Sequence, residues 1–154
     1  MGRYASVYFS PNRGADDTVV GFIDRCSSTL DAAVYSITHD QIADALVRAH
    51  QRGVVVRVLI DKTQAGNRYA DDEYMEAAGI EVRRDTQTGA MHNKMMIGDG
   101  KAVGTGSFNW TANASKRNAE NFVILRLLYV VAIFEGEFER LWNLNAPPLP
   151  IVCL

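Results

Sequence analysis

His92-Asn93-Lys94-Met95-Met96-Ile97-Gly98-Asp99-Gly100-Lys101-Ala102-Val103-Gly104-Thr105-Gly106-Ser107-Phe108-Asn109 is the stretch from which the rest of the chain is read. Met95, Met96 and Ile97 form an apolar run, and Asp99-Gly100 is a strong tight-turn dipeptide. The pattern predicts a strand over residues 91–97, a hairpin turn, and a return strand from Lys101 to Thr105. Side chains alternate faces along a strand, so His92 and Lys94 point the same way. Asp99 falls in the turn and reads as structural, capping the turn or accepting local hydrogen bonds. Ser107 and Asn109 are again two apart, and they follow Gly104 and Gly106, where backbone can approach closely.

Working outward, Val7 to Phe9 reads as a short strand ended by Pro11-Asn12-Arg13-Gly14. A helix follows from Asp16 to about Ser28, its acidic start suited to the helix dipole. Ala32 to Ile37 reads as a strand, and Thr38 as the N-cap of a helix over His39–Arg52. Ile42, Ala45, Leu46 and Ala49 keep helical spacing there, and Gly53 ends the helix. Val54 to Ile60 is nearly all apolar, as in a parallel strand buried on both faces. A helix over about Tyr69–Ala78, a strand over Ile80–Arg83, a strand over Asn121–Arg126 and a helix over about Tyr129–Trp142 complete the pattern. Strand and helix alternate in the first half, which argues for βαβ units. The expected fold is therefore α/β, a mixed, mostly parallel sheet with helices on both faces. No internal repeat is visible, so residues 1–154 read as one domain whose tail, from about 145, packs loosely.

The chain has 154 residues, 47% hydrophobic and 22% charged, with a formal net charge of −2. That is enough chain for one sizeable core. No apolar run approaches the ~20 residues of a membrane span, so no stable membrane association is expected. A net charge near zero gives no bulk field for nucleic acid, and any affinity must come from local cations. Lys116 and Arg117 are the foremost of these. Cys26 and Cys153 have no metal-type spacing and read as free thiols. The acidic pairs Asp16-Asp17 and Asp71-Asp72-Glu73 fall at helix starts, where acids favour the dipole. No metal ligand set or cofactor is expected.

An imidazole, an ammonium, a hydroxyl and an amide in one window suit an anionic phosphodiester. One group attacks phosphorus, and another protonates the leaving oxygen on the opposite side. Imidazole suits both roles because both its forms are available near neutrality. Lys, Ser and Asn donors stabilise charge on the non-bridging oxygens. The window supplies one histidine per chain; His50 reads as a solvated or helix C-terminal charge partner, and His39, at a helix start, as a surface residue within reach of the active-site edge. The chain thus looks like half an active site, and a two-fold homodimer would place two copies of His92 across one phosphate.

The window resembles the phospholipase D superfamily pattern H-x-K-x(4)-D-x(6)-G-S-x-N and matches it at every defined position. Tyr35-Ser36-Ile37-Thr38, the segment Val54–Asp61, and Asn118-Ala119-Glu120-Asn121 extend the likeness over roughly residues 7–142, to the superfamily's small bacterial endonucleases. The resemblance implies a metal-independent phosphodiesterase acting on DNA, or on RNA, with little sequence preference. It implies a phosphohistidine formed on His92 and catalytic roles for His92, Lys94 and Glu120, the carboxylate orienting the imidazole. Lys94, Ser107 and Asn109 would bind the phosphate, and Asp99 and Gly106 would be structural. The small nucleases pair two chains, and their likeness suggests a periplasmic or secreted protein, although no leader is visible. Two other expectations stand beside this one: a phospholipid-hydrolysing enzyme, and a nucleic-acid-binding module without catalysis. The chain is also compatible with a catalytic piece of a larger protein.

Overall fold

The computed structural model describes residues 4–147. A seven-stranded sheet is built from β1 (Ala5–Phe9), β2 (Thr29–Val34), β4 (Val55–Asp61), β5 (Glu81–Asp85), β6 (Lys94–Gly98), β7 (Ala102–Gly106) and β9 (Asn121–Leu125). The strand order is β1-β9-β7-β6-β2-β4-β5. The short strands β3 (Ile37–Thr38) and β8 (Trp110–Thr111) pair in parallel as a separate two-stranded sheet. The helices are α1 (Ala15–Arg25), α2 (Asp40–Gln51), α3 (Asp72–Ala77), α4 (Ala112–Lys116) and α5 (Leu128–Leu144).

Period-two alternation separates the two faces of the sheet. Leu30, Ala32 and Val34 of β2 and Val56, Val58 and Ile60 of β4 face a core shared with Val19 and Phe22 of α1, Ile42 and Leu46 of α2, and Met75 of α3. Ala33, Leu59, Met95, Ile97 and Val103 face the other way, against Val131, Phe138, Leu141 and Trp142 of α5. The mixed sheet with helices on both faces is thus as expected, but it is not mostly parallel. Only the β2–β4 and β4–β5 pairings of the large sheet are parallel; β1–β9, β2–β6, β6–β7 and β7–β9 are antiparallel. The reason is long-range. The hairpin inserts beside β2, and β9 runs back antiparallel between the hairpin and β1.

The hairpin turn is where the sequence predicts it. Asp99 and Gly100 have φ of 53° and 62°, the double positive φ of a type I′ turn. Asp99 has a second task with partners far from local. Its carboxylate accepts from the backbone N–H groups of Ser27, Ser28 and Thr29 at 2.7–3.1 Å and from the Ser27 hydroxyl. Burial alone would raise this carboxyl, but these donors outweigh it and hold its pKa below the ordinary value. The turn is thereby pinned to the entry of β2. Asp99→Ala leaves three backbone donors without their acceptor and is expected to cost about 2 kcal/mol in urea unfolding.

Three local expectations are revised. The strand expected over Ala32–Ile37 breaks at Tyr35-Ser36, because the chain leaves β6 and joins β8 instead. The residue capping α2 is His39 rather than Thr38, and it makes no side-chain cap bond. The helix α4 was missed in the sequence; Thr111 caps it, its Oγ1 accepting from the Ala114 N–H. At the other end, Asn145 is tied to Asp85 and to the Thr86 backbone, and the rest of the tail from residue 148, with Cys153, lies outside the described residues. Cys26 is a buried free thiol, pushed up to about 12 mainly by burial.

Candidate active site

His92 lies in an extended lead-in just before β6, and Lys94 is the first residue of that strand. The two side chains do share a face. Lys94 Nζ lies 3.0 Å from His92 Nδ1 and donates to the His92 carbonyl at 2.7 Å. Their exposure differs: His92 is exposed, whereas Lys94 is 8% exposed. Burial pulls the Lys94 ammonium below the ordinary lysine range, and the charge of Glu120 opposes part of that fall. A charged Lys94 donates to Nδ1, so the neutral imidazole carries its proton on Nε2. That tautomer follows from the partner of Nδ1; the form able to give a proton to a leaving oxygen is the imidazolium, with both nitrogens protonated.

The segment holding His92 is fixed from below. Asp61, at the end of β4, has 0% exposure. Its carboxylate accepts from the Met91 N–H at 2.8 Å and from the N–H and hydroxyl of Thr63. Tyr35, delivered by the break after β2, sets its ring 4.6 Å from the imidazole, centroid to centroid. The sequence offers both residues only within the segments that carry the family likeness, with no role at the site. An acid ending an apolar strand and a tyrosine after one carry no local signal of their distant partners.

Ser107 follows β7, beside the start of β9. Its hydroxyl donates to Glu120 Oε2 at 2.5 Å and accepts from the Asn121 N–H at 3.1 Å. Glu120 Oε1 accepts from the Asn118 amide at 3.1 Å. Within the protomer, therefore, Glu120 holds Ser107 and Asn118, while Lys94 occupies the ring nitrogen that Glu120 was expected to take. Gly106 is required at its place. Its φ is 150°, and a Cβ there would lie 2.3 Å from the Asn121 carbonyl oxygen. Asn109 is half-buried, and its Oδ1 is buried without a hydrogen-bond partner among the described residues.

The other candidates lie elsewhere. His39 is buried rather than on the surface, its Nε2 3.7 Å from Asp16, whose carboxylate also accepts from the Ser115 hydroxyl. His50 lies against the turn at Gly79. Lys116 and Arg117 are exposed at the end of α4. Asp72 is consumed by an ion pair with Arg84 at 2.7 Å. Among the described residues, no three His, Cys, Asp or Glu side chains cluster to hold a metal. A cavity of about 350 Å³ opens beside His92 and Asn93, walled by Asp85, Gln87 and, from α5, Arg140 and Leu144.

The family model described as "Cardiolipin synthase, PLD-like domain" matches residues 19–142. A mitochondrial cardiolipin hydrolase of Chlamydomonas reinhardtii is 37% identical over 123 residues, which are 80% of this chain and 55% of that protein. A phospholipase D of Rickettsia felis is 38% identical over 120 residues, 78% of this chain and 60% of the relative. The chain thus spans little more than half the length of these curated relatives. Among solved structures, the phospholipase D family member Nuc from Salmonella typhimurium superposes with a TM-score of 0.87 at 32% identity, covering 92% of this chain and 95% of that one. NucT from Helicobacter pylori, 22% identical, shares the fold with a TM-score of 0.81 over 90% of this chain and 95% of that one.

Proposed function

The chain belongs to the phospholipase D superfamily, whose PLD-like domain it matches over residues 19–142, and on that premise we propose that it is a metal-independent endonuclease. The observation carrying this reading is the pairing of an exposed imidazole with a buried ammonium 3.0 Å away. His92 of one protomer attacks phosphorus through Nε2; the P–N bond forms as the P–O bond to the leaving oxygen breaks. His92 of the partner protonates that oxygen, then takes a proton from water as the water hydrolyses the phosphohistidine. Arrival of an anionic phosphate draws the Lys94 ammonium onto a non-bridging oxygen, which frees Nδ1 of the attacking ring to carry the proton. Ser107, whose hydroxyl turns from Glu120 to the arriving phosphate, and the Asn109 amide N–H complete the phosphate cradle.

The homodimer in this reading is supported by α5. Tyr129, Ile133 and Leu144 are 68%, 67% and 49% exposed, and they line one face of the helix with Gly136, whose Cβ position meets nothing within 4 Å. Glu137 and Arg140 pair beside them, and both line the cavity next to His92. An antiparallel, two-fold pairing of this face sets Glu137 against Arg140 of the partner subunit and Ile133 against its Leu144. The two His92 cavities then open toward one axis. Ile133→Glu is expected to convert the dimer to monomers in sedimentation velocity.

Nucleic acid is favoured by the likeness to Nuc along nearly the whole chain and by a site whose donors address phosphate alone. A phospholipid substrate is the second reading, favoured by relatives named cardiolipin hydrolase and phospholipase D. Among the described residues, no helix is long and apolar enough to cross a membrane. Plasmid DNA and cardiolipin-containing vesicles, offered separately to the same enzyme, discriminate the two. DNA cleavage with unhydrolysed vesicles is expected; vesicle hydrolysis with intact DNA would replace the first reading by the second.

A further inference from the structure

We propose that Tyr35 is a positioning residue, a wall whose ring sets the His92 imidazole and the Lys94 ammonium relative to each other. The inference rests on the reading of His92 as the reacting group and deepens it. Tyr35 leaves the sheet where β2 ends, yet its N–H still donates to the Asn93 carbonyl at 2.8 Å. That bond keeps it beside the reacting segment. Its ring centroid lies 4.6 Å from that of His92 with the planes tilted by 54°, inside the range of aromatic pairs. Lys94 Nζ lies 5.0 Å from the same centroid, inside cation–π reach. At its far end the Tyr35 hydroxyl accepts from Gln64 Nε2 at 3.1 Å. Gln64 is itself anchored, its N–H donating to the Asp61 carbonyl at 3.0 Å. The ring is therefore held at both ends, by backbone to the His92 segment and by hydroxyl to the turn after β4.

Two consequences follow from the chemistry of the contacts. An exposed imidazole has a broad torsion about its ring bond, and a fixed aromatic surface on one side removes half of that freedom. The electron-rich ring also supports positive charge on Lys94, opposing the desolvation that works against it. Tyr35 touches neither phosphate nor leaving group in this scheme, so its loss acts on turnover more than on binding.

The test uses the full chain with bis(4-nitrophenyl) phosphate and, separately, NMR titration of the His92 ring nitrogens. Tyr35→Leu is expected to lower kcat by about tenfold with KM nearly unchanged, and to move the pH at which the His92 ring titrates. Lys94 touches the ring, with Glu120 acting upon it, and Asp85, Glu137 and Arg140 line the cavity beside it; all stay in place. Tyr35→Phe keeps the ring but loses the bond to Gln64, and is expected to recover both readouts only in part, in step with Gln64→Leu. A purely structural role would lower Tm but leave the His92 titration alone. A folded Tyr35→Leu with wild-type kcat and wild-type His92 titration overturns the inference. Should Tyr35→Leu not fold, Gln64→Leu releases the hydroxyl while keeping the ring. It is expected to weaken the nuclear Overhauser contact between the two rings and lower kcat, and no change in either overturns the inference. If His92→Ala proves fully active, the phosphohistidine reading fails on its own, while the ring titration still decides the role of Tyr35.

Discussion

His92→Ala is expected to lose at least about 10⁴-fold in turnover while remaining folded. The imidazole is exposed, and its ring partners are Lys94 and Tyr35, so its removal opens no core cavity. The sharper form of the experiment mixes subunits. When wild type and His92→Ala are exchanged in equal amounts, a site needing both copies of His92 leaves about a quarter of the wild-type activity. Two independent sites would leave about half. The measured fraction therefore counts the histidines in each site without any structural assumption.

Asp61→Ala is expected to produce the largest loss of stability, about 3 kcal/mol in denaturant unfolding. The substitution strands the buried Met91 N–H and removes the acceptor that ties down the N–H and hydroxyl of the exposed Thr63. For a domain of this size the loss corresponds to a fall in Tm of roughly 6–12 °C. Activity should fall further than stability alone explains, because Met91 immediately precedes His92. The effect also has a pH signature. Burial would raise the Asp61 carboxyl, but its hydrogen bonds to Thr63 and Met91, with the charge of Lys62, hold it below the ordinary 3.8. A group whose pKa is lowered by folding contributes its stability above the unfolded value and loses it as pH falls through the folded one. The gap between wild type and Asp61→Ala should therefore be full near neutrality and close on acidification below about pH 4.

What was legible in the sequence was local. Asp99-Gly100 announces its turn because only residues tolerant of positive φ suit a type I′ hairpin. His92 and Lys94 share a face because the strand period is two, even though the strand itself begins only at Lys94. The apolar run of β4 and the spacing within α2 placed both elements to within a few residues. What escaped was set by partners distant in the chain. The run from Val34 to Ile37 reads as continuous strand, and only the switch from β6 to β8 breaks it at Tyr35. The parallel share of the sheet was overstated because the helix–strand alternation of the first half says nothing of where β1 and the hairpin dock. Asp99 was read as a turn residue, yet its acceptor role reaches back to residues 27–29. Glu120 was assigned to His92, whereas within one protomer it holds Ser107 and Asn118. A five-residue helix such as α4 is too short to show a period at all.

The central claim is chemistry carried by His92 without a metal, and its most direct test is cleavage of supercoiled plasmid DNA in excess EDTA by wild type and His92→Ala side by side. Nicking by the wild type, undiminished by chelator and absent from His92→Ala, is the expected result. Cleavage that disappears in EDTA, or that survives in His92→Ala, would contradict it.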